Sequence, residues 1–143
     1  MSIQVPYDFP DGYFTLQPHH STLWSQSVNA DQIVGILPSI SVMIAFRGAG
    51  ASISEVMTHL KTDAKNVLFG ELAIKSISPL KLQTPYLVKM RLIRSERKTG
   101  RKSGVFDRVK LGYTIKDAEA GLEVSLVNQT WIIRRFEETN LAA

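Results

Sequence analysis

The chain has 143 residues and 16.0 kDa, 44% of them apolar and 21% charged, with a mean hydropathy near zero. This is enough apolar material for one buried core, too short for two, and too apolar for an intrinsically disordered chain. The absence of cysteine excludes disulfides, thiolate metal sites and a cysteine nucleophile, and leaves His19, His20 and His59 as the histidines. The longest apolar stretch, Ile36 to Phe46, is broken by Pro38, Ser39 and Ser41, well short of the roughly 20 residues a membrane span requires. The opening MSIQVPYDFPDGYF lacks the basic and apolar regions of a secretory leader. The expectation is one cytoplasmic domain with no membrane partner.

The net charge of +4 is uneven. Lys89 to Lys102 holds seven cations (Lys89, Arg91, Arg94, Arg97, Lys98, Arg101 and Lys102) against Glu96, a net +6, so the other 129 residues carry −2. A local basic feature of this kind suits a phosphate-bearing partner, a nucleic acid or the nucleotide end of coenzyme A, or else only keeps a hairpin tip solvated.

In chain order, residues 1–29 carry Pro6, Pro10, Gly12 and Pro18 between aromatics and read as an extended packed arm with room for one short strand. Asp31 caps a short apolar segment, 32–37, that Pro38 ends. Residues 38–46 fit a buried helix or a buried strand equally well. After Gly48-Ala49-Gly50, read as a helix-entry turn, Ser52 and Glu55 stand in capping-box spacing. Ile53, Val56, Met57 and Leu60 then repeat on one face, which predicts a helix over 52–65.

The remainder reads as strand. Leu68 to Ile77 places Leu68, Leu72 and Ile74 on one face, and Ser78-Pro79 ends it. Tyr86 to Ser95 alternates Val88, Met90 and Leu92 with Lys89 and Arg91. Val105 to Ile115 alternates most cleanly, Lys116 to Gly121 is a turn, and Leu122 to Arg135 is β-rich. The glycines of R-K-T-G-R-K-S-G put most of the basic cluster on one hairpin. The organisation is thus a single domain: an arm at 1–29, a helical segment at 31–65 and antiparallel strands at 68–135. A helix must bury its stripe against the sheet, and the open strand edges call for a second copy or a partner.

One helix followed by a long antiparallel sheet is the order of the hot-dog fold, an α+β architecture with a central helix wrapped by the sheet. Particular stretches resemble the N-terminal domain of MaoC-type dehydratases: G-I-L-P-S at 35–39, G-E-L-A-I-K-S-I-S-P-L at 70–80, T-P-Y-L-V-K-M-R-L-I at 84–93, and D-A-E-A-G-L-E-V through I-I-R-R at 117–135. The resemblance covers about 100 residues and implies a hot-dog subunit that acts on acyl thioesters, an (R)-specific enoyl-CoA hydratase or 3-hydroxyacyl-ACP dehydratase. It implies a second hot-dog subunit as partner and no cofactor. Active members carry an Asp-x-Asn-Pro-x-His motif. The nearest segment here, T-L-Q-P-H-H, keeps Pro18 and His20 but has Thr15 and Gln17 where the aspartate and asparagine would stand. Threonine cannot replace a carboxylate as general base. The resemblance therefore implies the non-catalytic half of a pair, with His20 as the one catalytic candidate and Arg97, Lys98, Arg101 and Lys102 as the coenzyme A or carrier-protein surface.

Rival readings come from other residues. Glu55 and Asp63 lie on the helix that bears the catalytic carboxylate in hot-dog thioesterases, which leaves a self-sufficient thioesterase or enoyl-CoA hydratase as an alternative. A nucleic-acid-binding module using the hairpin is a third; residues 89–104 contain no aromatic side chain to stack on a base. His19, His20 and His59 offer too few ligands for a metal site. Ser41, Ser52 and Ser54 lack the setting of a serine nucleophile.

Overall fold

The computed structural model describes residues 3–29, 36–102 and 104–135. Two short strands, β1 (Tyr7–Asp8) and β2 (Gly12–Thr15), precede helix α1 (Pro18–Ser27). A 3-10 turn, Pro38–Ile40, runs into α2 (Ser41–Gly48), followed by α3 (Ile53–His59) and a second 3-10 turn, Ala64–Asn66. Four long strands complete the chain: β3 (Val67–Ser76), β4 (Pro85–Gly100), β5 (Gly104–Asp117) and β6 (Glu123–Arg134). All six strands form one antiparallel sheet in the order β1-β4-β5-β6-β3, with β2 also on β4. No single helix among the described residues is long and apolar enough to cross a membrane.

The sheet wraps α2. Ile40, Ser41, Ile44, Ala45 and Gly48 recur at helical spacing and are buried against β4, β5 and β6. This resolves the ambiguity of 38–46 as helix. The small residues let the strands close in: a Cβ on Gly48 would stand 2.7 Å from Val88 Cγ2. Gly48-Ala49-Gly50 is a close crossing as much as a turn, because a Cβ on Gly12 of β2 would overlap the Gly48 carbonyl.

The arm needs correction. Residues 18–27 are helical, since Pro18 at the first helical position pre-sets the backbone and the Gln17 N–H finds an acceptor in His20 Nδ1 at 3.0 Å. The segment expected at 32–37 lies outside the described residues up to position 35.

The helix predicted over 52–65 is also corrected. It opens as expected, with Ser52 Oγ accepting from the Glu55 N–H (3.1 Å) and Glu55 Oε1 accepting from the Ser52 N–H (3.2 Å). It stops at His59 because Lys61 turns left-handed (φ 55°), so that its N–H bonds the Thr58 carbonyl and the Thr62 N–H bonds that of Met57. This pair of bonds is a Schellman closure, with lysine where glycine is usual.

Two bulges set which side chains face inward. In β3 the register shifts between Phe69 and Leu72, so the alternation inverts. Phe69, Leu72 and Ile74 pair with Trp131, Gln129 and Val127 of the inner face, whereas Leu68 pairs with Ile132 on the outer one, contrary to its predicted grouping. In β4 the shift falls between Leu92 and Arg94, after which Arg97 turns inward and meets Asp107.

Asp107 is 2% exposed. Its carboxylate accepts from Arg97 at 2.8 and 3.0 Å and from Arg135 Nε at 2.9 Å. Arg135 also donates to the Leu60 and Lys61 carbonyls at 2.8 and 2.9 Å, closing the C-terminus of α3. Burial alone would raise the carboxyl pKa, but the hydrogen bonds and charges of the two guanidiniums outweigh it and hold the group below its ordinary value.

Asp107→Ala, which leaves Arg135 buried beside no anion, should cost about 3–5 kcal/mol in urea denaturation, a large part of a small domain's total. A carboxyl depressed in the folded state stabilises above its unfolded pKa of about 3.9 and loses that contribution as pH falls through the folded value. The native chain should therefore lose stability below about pH 4 more steeply than Asp107→Ala. Parallel acid profiles would contradict this.

Candidate functional site

The T-L-Q-P-H-H segment sits where β2 hands over to α1. Thr15 ends β2 opposite Pro85 and is exposed, Leu16 is fully buried and anchors the junction, and Gln17 caps the helix that Pro18 begins. His20 follows on the first turn. Its ring lies 5.0 Å from Phe14 and 4.1 Å from His19, centre to centre. Burial, helped by repulsion from His19 and Arg47, pulls the His20 pKa below the ordinary histidine value.

The hydrogen bond to the Gln17 N–H fixes the chemistry of this imidazole. Nδ1 is the acceptor, so the neutral ring carries its proton on Nε2. In that tautomer Nε2 donates to an oxygen and cannot take a proton from water. A base at this spot would have to be a second group. Thr15, at the end of β2, carries a hydroxyl and no carboxylate. His20 is thus held as a donor through Nε2.

The other candidates are engaged elsewhere. The Glu55 carboxylate belongs to the α3 capping box. Asp63 Oδ1 accepts from the Lys65 N–H (3.1 Å) and from Asn66 Nδ2 (3.0 Å), capping the second 3-10 turn. His59 stacks on Tyr7 with ring centres 4.1 Å apart and pins β1 to α3. Among the described residues no three His, Asp or Glu side chains converge as metal ligands. A feature missed in the sequence is the buried hydroxyl pair in which Ser125 Oγ donates to Ser41 Oγ at 2.8 Å, tying β6 to the start of α2.

The basic cluster is less cationic in space than in sequence. Lys89 pairs with Asp11 (3.3 Å) and Arg91 with Asp8 (2.6 Å), acids brought alongside by β1 and the chain around it. Arg94 and Lys98 share Glu96 at 3.6 and 3.7 Å. Arg97 is held by Asp107 and belongs to the structural node described above. Arg101 and Lys102 remain exposed at the hairpin tip. On the outer face, a depression of about 210 Å³ has mixed lining, Glu71 and Glu96 against Arg94, Arg108 and Lys110, which suits no single sign of ligand.

No family model and no curated protein matches the sequence. Solved structures do match the fold. A MaoC-like dehydratase from Rhodospirillum rubrum superposes with a TM-score of 0.62 at 10% identity, over 92% of this chain and 93% of its own. The C-terminally truncated HadBC complex from Mycobacterium tuberculosis, a 3R-hydroxyacyl-ACP dehydratase, gives 0.62 at 10% identity, over 91% and 97%. A hot-dog-like protein from Thermanaerovibrio acidaminovorans gives 0.59 at 11%, over 98% and 90%. A curved antiparallel sheet around one helix, with these neighbours, defines an α+β protein of the hot-dog fold. The structural neighbours include a MaoC-like dehydratase and a 3R-hydroxyacyl-ACP dehydratase complex.

The tautomer is directly measurable. Nitrogen-15 NMR of the histidine side chains should show His20 with an unprotonated Nδ1 and a titration midpoint below the ordinary value of about 6.5. A midpoint above that value, or a protonated Nδ1 at neutral pH, would remove the capping bond from the account.

Proposed function

We propose that this chain is an acyl-thioester hot-dog subunit of the hydratase or dehydratase type that binds the acyl group and its carrier, while a second hot-dog subunit supplies the catalytic carboxylate and base. The observation that carries the reading is the geometry at His20: a donor imidazole on the first turn of α1, with Thr15 in place of a proton acceptor. Addition of water to an enoyl thioester needs a group that removes a proton from water as the oxygen attacks. In this chain the Nε2–H holds an oxygen in place, and Thr15 offers no carboxylate to take the proton. The fold shared with HadBC supports a second hot-dog unit as the partner.

The carrier surface is read as the hairpin. Lys98, Arg101 and Lys102 face the phosphates of coenzyme A or an acidic carrier protein, and Arg97 shapes the base of the hairpin through Asp107. The thioesterase alternative is disfavoured because Glu55 and Asp63 are occupied as caps. The nucleic-acid alternative is disfavoured because the cations of β4 are paired along their length.

The lone chain should bind crotonyl-coenzyme A and hydrate it negligibly. Replacing Lys98, Arg101 and Lys102 together by glutamine should weaken that binding and flatten its salt dependence, with the melting temperature nearly unchanged. Each exposed contact contributes only about 0.2–1 kcal/mol, so the triple change is needed. Turnover at ordinary enzymatic rates that His20→Ala abolishes would overturn the non-catalytic reading. Unaltered affinity and salt response would remove the hairpin from the carrier surface.

A further inference from the structure

Several polar side chains that the sheet turns inward have found partners: Asp107 has two guanidiniums, Ser125 has Ser41, and the Tyr86 hydroxyl accepts from the Lys81 N–H at 2.7 Å. Among the described residues, three inward groups on β5 and β6 have not. Gln129 Oε1 and Trp131 Nε1 are buried without a hydrogen-bond partner. Tyr113, on β5 opposite Val127, is 2% exposed and makes no hydrogen bond, and burial pushes its phenol pKa up. Buried polar groups are seldom left unpaired, and each one costs stability unless something else satisfies it.

The two on β6 stand beside an uncovered strip. Helix α2 packs over β4, β5 and β6, whereas on β3 the inward Phe69 (49% exposed), Leu72 (48%) and Ile74 (37%) are open. Phe69 meets the Trp131 ring edge-on at 5.3 Å, and Leu72 stands opposite Gln129. An apolar strip with a donor and an acceptor beside it suits an apolar ligand that carries one polar group. Residues 129 and 131 are two apart on one face, about 6.8 Å between Cα atoms. One oxygen that accepts from Trp131 Nε1 and donates to Gln129 Oε1, at about 2.8–2.9 Å each, can bridge atoms up to about 5.7 Å apart, which that spacing allows. A hydroxyl does both. A keto oxygen would leave the Gln129 acceptor unpaired, and a methylene would leave both atoms so.

We propose that Trp131 and Gln129 select an acyl chain bearing a hydroxyl remote from its thioester. The inference rests on the acyl-thioester reading above and names its substrate class. The place of the hydroxyl follows from the sheet order. His20, which holds an oxygen at the reacting end, follows β2, and β6 lies three strand spacings from β2, about 14 Å across the sheet. A hydroxyl at Gln129 is therefore distinct from one formed by adding water beside the thioester. It belongs to the far part of a medium or long chain, whose methylenes lie along Phe69, Leu72 and Ile74.

The probes are dodecanoyl-coenzyme A and ω-hydroxydodecanoyl-coenzyme A, titrated calorimetrically into the native chain. The hydroxylated chain should bind about tenfold or more tighter, since the plain chain leaves both polar atoms unpaired. Trp131→Phe removes the donor and keeps an aromatic ring, and Gln129→Leu replaces the amide by an apolar group of similar size. Each should bring the two affinities to within about twofold of one another. Gln129→Leu should also bind the plain chain more tightly than the native protein does and melt no lower, because it removes an unpaired buried acceptor; this arm stands even where Trp131→Phe fails to fold. Equal affinity of the two probes for the native chain would overturn the proposal, with a buried water as the partner of both atoms, and would leave the acyl-thioester reading standing. A preference for the hydroxylated probe that persists undiminished in Gln129→Leu would overturn it as well. A native chain that binds neither probe would overturn both readings.

Discussion

A buried carboxylate can survive in a small core only if charge and hydrogen bonds replace the water it loses, and Asp107 organises the hairpin end of this molecule around that requirement. Arg97 reaches it because the bulge after Leu92 turns β4 by one residue. Arg135 reaches it from the end of β6 and at the same time takes the two carbonyls that close α3. One anion thus fastens the long hairpin, the final strand and the helix that leads into β3. The Arg97 arm is 38% exposed and screened by solvent, so Arg135, at 12%, contributes more of the stabilisation. Without this clasp the Leu60 and Lys61 carbonyls would lack their guanidinium partner.

The opposite end of the molecule holds the candidate chemistry. The hydrogen bond that starts α1 is also the bond that sets the His20 tautomer, so helix capping and reactivity are one interaction. Polarity follows from it: the ring's proton lies on Nε2. The cations of β4, which in sequence suggest a broad cationic surface, lie beside Asp11, Asp8, Glu96 and Asp107 as far as Lys98, and Arg101 and Lys102 stand exposed at the tip. The proposed carrier surface is therefore narrower than the composition implies.

Much of this was legible in the sequence, for physical reasons that differ by element. The α3 capping box was read correctly because Ser52 and Glu55 sit three residues apart and act locally. The alternation of β4 and β5 was read correctly because one face of each strand is buried. The central helix was not resolved, since its half-buried face (Val42, Met43, Phe46) is as apolar as its buried one and leaves little polar contrast to reveal a period. Helix α1 was hidden because only Ser25 of its residues is buried, so it has no apolar stripe. The bulges in β3 and β4 depend on pairing with other strands and leave no local mark. The sequence does mark the Asp107 node: this acid falls on the inward parity of Val109 and Leu111, and an acid at a core position demands cations beside it.

The proposed non-catalytic role rests on Thr15 carrying no carboxylate and on an imidazole that only donates. The most direct measurement is the rate of crotonyl-coenzyme A hydration by Thr15→Asp compared with the native chain. A carboxylate restored at this exposed strand end should raise the rate about 10²-fold or more, in line with what a positioned general base contributes, and His20→Ala added to Thr15→Asp should remove the gain. A folded, ligand-binding Thr15→Asp protein no faster than the native chain would contradict the account, as would a native chain already turning over at that rate.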